Sequence, residues 1–381
     1  MNKKIVIGVI IILAIVLVEG AVAINFSSST GLFALPAEKE ILIGVIQPLT
    51  GNAANFGQSG KAALLLAQEE INSNGGINGN KIKLIFEDSH CSSEAATTAA
   101  QKLIEVDRVS AIIGGNCSSE TLAIAPIAEK AKVLVLSNGS SSPAISDSGD
   151  YIFRDYPSDS VSGKIAAEYA YNVLGARSAA ILYWQSNWPM GIKKVFKETF
   201  ENLGGKVILE DSFSTGSIDM KTQLTKIKNS KVDVVYFLAM TTESLTGVQQ
   251  AKQIGLETQM IGGEPWDDQA LWDSAKDAGE GKIFVAPKAS ENEWFINELT
   301  KQNTQNIPGA AQAYDALKII ANAITKCGTN GTCEKDYLYA MPEYNGISGK
   351  IQFDSKGDLK NPLFTIKKIE NGKIIEVADA S

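Results

Sequence analysis

Catalytic signatures are mostly absent from this chain. His90 is the single histidine, so a Ser-His-Asp or Cys-His nucleophile system would have to be built on it. It abuts Cys91, a cysteine better suited to a disulfide. No GxGxxG motif follows a strand and no Walker loop occurs. Carboxylates are plentiful, but their spacing isolates no catalytic pair. The expectation is a binding protein, not an enzyme, with no cofactor. The four cysteines fall as two pairs close in sequence, Cys91 with Cys117 and Cys327 with Cys333. An even count suits disulfides in an oxidising compartment. Without CxxC or paired-His spacing, no metal site is expected.

What does recur is polar chemistry in loops that follow apolar strands, where open α/β sheets place their ligands. Gly115-Asn116-Cys117-Ser118-Ser119 follows one such strand, and Asn138-Gly139-Ser140-Ser141-Ser142 follows another, closed by Pro143. Both offer hydroxyls beside free backbone N–H groups at a helix start, a combination suited to a carboxylate. Ordinary capping accounts for either loop alone; two of them on neighbouring strands point to an anion site. The second half of the chain carries Trp184-Gln185-Ser186-Asn187-Trp188-Pro189, then Ala239-Met240-Thr241-Thr242, then Gly263-Glu264-Pro265-Trp266. An acid among aromatics can hold an ammonium by charge and cation–π contact. The competing reading makes Glu264 a solvated loop acid and the tryptophans packing residues.

The elements that must position these loops alternate regularly. Strands are expected at Ile41–Ile46, Lys81–Glu87, Ala111–Gly114 and Val133–Ser137, with helices at Gly57–Asn72, Glu94–Asp107 and Ser119–Lys130 between them. A second series follows Phe153-Arg154-Asp155-Tyr156-Pro157. It comprises helix Ser158–Leu174, strand Ser178–Tyr183, helix Met190–Asn202, strand Lys206–Phe213, helix Met220–Asn229, strand Val232–Leu238, helix Thr242–Ile254 and strand Gln259–Gly262. Strand Ile283–Val285, a long helix Ala310–Lys326, and strand-like Lys350–Phe353 and Leu363–Ile369 complete the chain. Two strand–helix series of this kind imply two doubly wound α/β lobes with parallel sheets.

The start of the chain, Met1-Asn2-Lys3-Lys4, precedes an apolar run from Ile5 to Val18 and a small-residue Ala21-Val22-Ala23 site. Residues 1–24 read as a secretory signal or as an uncleaved membrane anchor, since the apolar stretch is about 20 residues long. Residues 25–39 read as a linker. Either way an extracytoplasmic location is expected, in the periplasm or on the outer face of the membrane. The net charge of −8 is spread along the chain, so no nucleic-acid partner is expected.

Gln47-Pro48-Leu49-Thr50-Gly51, the Asn72–Gly79 turn cluster, Asp88 through Cys91, Gly115 through Ser119, and Gly349–Leu359 together resemble the leucine/isoleucine/valine-binding proteins. These are type I periplasmic binding proteins serving ABC transporters, and the resemblance runs from about Glu40 to Ile369. It implies two Rossmann-like lobes joined by three crossovers, near Asp155-Tyr156, Ala286-Pro287 and Gly349-Lys350. One lobe would comprise residues 40–155 plus 287–349, the other 156–286 plus 350–378. It further implies that Ser118, Gly139 and Ser141 hold a ligand α-carboxylate, that Glu264 takes the ammonium, and that Cys91 pairs with Cys117. Cys327 and Cys333 lie outside the family pattern. At positions where the best-known members carry Tyr, this chain departs from the family pattern with Phe56 and Trp188, and a third position is Met240. The resemblance thus implies a branched-chain or hydrophobic amino acid as ligand and ABC permease subunits as partners. The rival reading is a sensory module for an amide, urea or small organic acid, since the fold also serves receptors.

Overall fold

The computed structural model describes residues 40–214 and 216–380. The expected signal or anchor (residues 1–24) and linker (25–39) lie outside the described residues. Among those described, no helix is long and apolar enough to cross a membrane.

The first sheet is built from β1 (Ile41–Gln47), β2 (Ile82–Asp88), β3 (Ala111–Ile113), β4 (Leu134–Ser137) and β5 (Ile152–Arg154) in the order β2-β1-β3-β4-β5. All its pairings are parallel. A parallel sheet is covered on both faces, and the strand sequences comply: Ile43, Val45, Ile46, Ile112 and Ile113 are all fully buried. One face packs on helices Ala54–Ser73 and Ala310–Cys327, the other on Ser93–Gln101 and Ser118–Ala131. The long helix 310–327 lies far along the chain, yet its Ala313, Ala316, Leu317 and Ile320 complete the first lobe's core.

The second sheet contains β6 (Ser178–Trp184), β7 (Lys206–Phe213), β8 (Val234–Leu238), β9 (Gln259–Gly262), β10 (Ile283–Pro287), β13 (Phe364–Glu370) and β14 (Lys373–Ala380). Their order is β14-β13-β10-β9-β8-β6-β7, with β11 (Tyr344–Gly346) and β12 (Gly349–Ile351) forming a separate hairpin. The β6 to β10 pairings are parallel, while β13 and β14 add an antiparallel edge. Val234 through Leu238 are fully buried, the pattern of a central strand.

The chain passes between the sheets after β5, after β10, and before β13. The third passage falls later than the Gly349-Lys350 expectation. Ile351 and Phe353 are buried in the first lobe's core with Leu359 packed against them, so the segment assigned from residue 350 to the second lobe belongs to the first until about Leu359. Apolar residues on a short hairpin give no hint of which of two cores will take them. Several short elements also lack a readable period in the sequence: β5, β14, and helices Gln269–Ala275, Glu293–Lys301 and Gly331–Ala340.

Candidate functional site

Each strand–helix turn of the first lobe is shaped by buried polar groups. The Gly115 carbonyl accepts hydrogen bonds from Ser137 Oγ (2.7 Å), Ser140 Oγ (2.9 Å) and Thr121 Oγ1 (3.0 Å). These three hydroxyls lock the loop after β3 to the loop after β4. Glu120 lies under the first loop, fully buried, and its Oε2 accepts from the Cys117 N–H at 2.9 Å. Burial raises its carboxyl to about 7, against the lowering effect of Ser89 and the loop N–H groups. Gly139 is required by close approach: a Cβ there would stand 2.6 Å from Asn116 Nδ2 and 2.9 Å from the Asn116 carbonyl oxygen. Ser118 Oγ accepts from the Ser142 N–H at 3.1 Å, which leaves its own proton to donate.

Arg154, at the end of β5, ties down the second loop. It is fully buried, with Nη1 donating to the Ser142 carbonyl (2.8 Å) and Ser140 carbonyl (3.3 Å), Nη2 to Ser146 Oγ (3.0 Å), and Nε to Asp358 (2.7 Å). The planar guanidinium fork suits this four-way anchoring. Cys91–Cys117 links the turn after β2 to the turn after β3, with Cα atoms 5.5 Å apart, and Cys327–Cys333 closes the junction between the last two helices. The sulfurs near Glu120 are therefore disulfide sulfurs and not thiolate ligands.

The second lobe faces these loops across a cleft of about 510 Å³, partly open to solvent. Phe56, Ser118, Gly139 and Ser141 line it from one side, and Trp188, Met240 and Glu264 from the other. All seven residues singled out in the sequence thus border one cavity. Tyr156, Trp184 and Ser186 line it too. Trp266 does not: its ring packs on Gly262, where a Cβ would stand 2.2 Å from the indole, and its Nε1 donates to buried Ser244 Oγ at 2.9 Å. Of the loop tryptophans, Trp266 is core and the other two are cleft wall. The lobes approach closely, since a Cβ at Gly191 would meet Pro143 Cδ at 2.6 Å.

The electrostatics of the cleft floor centre on two acids. Burial pushes Glu264 well above the usual carboxylate range, and neighbouring Asp159 adds to the shift. Asp159 is itself raised by burial, against lowering contributions from Ser141, Ser162, Arg154 and Trp188. Its one oxygen accepts from Ser162 Oγ at 2.7 Å, while the other has no partner. Ser141 Oγ reaches both carboxyls and lowers each, and Trp188 lowers Asp159, while Tyr236 OH is unpartnered. Two acids held this close disfavour each other's ionised form, and a cation placed above them would favour ionisation of one. Asp159, Tyr156 and Arg154 were not distinguished in the sequence. They belong to the segment joining the lobes, and no periodicity marks its members as cleft residues.

Residues 40–373 match the family described as periplasmic binding protein. The chain belongs to that family. A leucine-, isoleucine-, valine-, threonine- and alanine-binding protein of Pseudomonas aeruginosa is 30% identical over 337 residues, covering 87% of this chain and 90% of that one. The Leu/Ile/Val-binding protein of Escherichia coli is 26% identical over 357 residues, covering 92% and 95%. Among solved structures, a leucine-binding protein from Thermotoga maritima superposes with a TM-score of 0.83 at 27% identity, covering 89% of this chain and 98% of that one. The branched-chain amino acid transporter substrate-binding protein of Streptococcus pneumoniae, in complex with isoleucine, gives 0.81 at 26%, covering 90% and 99%. The two-lobed type I architecture is therefore that of its periplasmic binding relatives.

Proposed function

We propose that this chain is the extracytoplasmic solute-binding component of an ABC importer, and that it closes its two lobes on a branched-chain or hydrophobic L-amino acid. The observation that carries this reading is one cleft with carboxylate-type donors on one wall and acids on the other. Ser118, the Gly139 backbone and Ser141 would hold the α-carboxylate, and Glu264, backed by Asp159, would hold the ammonium. Phe56, Trp188 and Met240 offer an apolar wall to the side chain. The named substrates of the Pseudomonas, Thermotoga and Streptococcus relatives support the same ligand class. The protein would bind and release its ligand unchanged, handing it to permease subunits that read the closed shape. The apolar segment at residues 5–18 fits export, whether it is cleaved or retained as a tether.

A thermal-shift screen of amino acids, amides, urea and small organic acids tests this. Specific binding stabilises by RT ln(1 + [L]/Kd), about 2.7 kcal/mol at a hundredfold excess over Kd. Leucine, isoleucine or valine should raise the melting temperature clearly. A shift by urea, an amide or a simple acid, with none from any amino acid, refutes the ligand class and favours the sensory reading.

A further inference from the structure

We propose that Asn52 and Glu243 form a latch that holds the two lobes shut from outside the lining of the ligand cleft. The proposal rests on the closure reading above. Asn52 lies in the turn after β1 in the first lobe, and its Nδ2 donates to Glu243 Oε1 of the second lobe at 3.2 Å. Neither residue lines the ligand cleft. The acceptor is built in advance: Glu243 is 1% exposed, stands in the first turn of helix Thr241–Gln253, and its Oε1 also accepts from the Gly216 N–H at 2.9 Å. A carboxylate is favoured at that helix end. The donor is also held, because the Leu49 and Thr50 N–H groups bond Asp88 Oδ1 at 2.9 and 3.3 Å, and Ala54 N–H closes a turn on the Gly51 carbonyl. The other hydrogen bond to Glu243, from Gly216, stays within its own lobe, so Asn52 is the part that engages only when the lobes meet. A bond made only in the closed form slows opening and leaves encounter untouched.

The test uses the full chain with L-leucine as probe and follows association and release by stopped-flow fluorescence. Asn52→Ala should raise koff about 10- to 150-fold, the range of one net hydrogen bond to a charged group, with kon nearly unchanged. Asn52→Asp, which sets a like charge against Glu243, should release faster still. Asn52→Lys should restore slow release through an ion pair, which a purely structural role of the turn would not produce. Equal koff in the parent and in the Ala and Asp variants overturns the latch, as does a Lys variant as fast as the Asp variant. If L-leucine fails to bind the parent, the ligand reading fails on its own. The latch is then read in ligand-free protein from the fraction of short inter-lobe distances between spin labels. Asn52→Asp must lower that fraction, and equal fractions overturn the proposal.

Discussion

Replacing Glu264 by Gln removes the charge that the proposed function assigns to the ligand ammonium while keeping the side chain's size. Truncating one partner of a desolvated charge pair costs about 2–5 kcal/mol. Part of that gain is offset here. Burial and Asp159 hold the Glu264 carboxyl well above its ordinary value, so the parent must first shed a proton to meet the ammonium. Each pH unit below the carboxyl's pKa subtracts about 1.4 kcal/mol from the gain. The expected loss is therefore about 2–3 kcal/mol, or about 30- to 150-fold in Kd. The same geometry fixes the pH dependence. An ammonium favours the ionised acid, so binding expels a proton, and affinity rises with pH until Glu264 is ionised in the free protein. Calorimetry in buffers of different ionisation enthalpy measures that proton. Glu120, at about 7 beneath the Cys117 turn, and Asp159 beside Glu264 also titrate, so the decisive quantity is parent minus variant. A Glu264→Gln protein that binds as tightly as the parent, with the same proton release, refutes the assignment.

Three further outcomes follow from the first-lobe loops. Gly139→Ala should weaken ligand binding and lower stability by about 1–3 kcal/mol, since the new methyl meets the Asn116 carbonyl as well as its movable side chain; chemical denaturation and calorimetry check both. Arg154→Met should cost about 3–5 kcal/mol in denaturant unfolding by stranding Asp358, and Arg154→Lys should recover only part of this because it cannot reach Ser140, Ser142, Ser146 and Asp358 together. Removing Cys91–Cys117, which spans 26 residues, should destabilise by about 3.5 kcal/mol on the chain-entropy estimate, against about 2 kcal/mol for Cys327–Cys333, which spans 6. Only loss of the first should also weaken ligand binding, because only that bridge borders the cleft; Cys-to-Ser pairs followed by thermal unfolding and ligand titration compare them.

Much of this protein is written locally. The largely apolar runs Ile41–Gln47 and Val234–Leu238 become central parallel strands because both of their faces are covered, and helix periods beside them specify which stripe faces the sheet. Ser- and Gly-rich turns at strand ends marked the cleft wall, since hydroxyls and free N–H groups there are legible as an anion site whatever the rest of the chain does. The sequence could not decide which core receives a short segment. Ile351 and Phe353 join the first lobe through partners remote in the chain. Nor could it separate the tryptophans: Trp266 is sealed by Gly262 and Ser244, whereas Trp188 faces the cleft. The pairing of Asp159 with Glu264, the grip of Arg154 on the 140–142 loop, and the bond from Asn52 to Glu243 all join residues brought near by the folding and approach of two lobes. Local propensity acts over a few residues, while burial, charge proximity and inter-lobe contact depend on distances that only the tertiary structure sets.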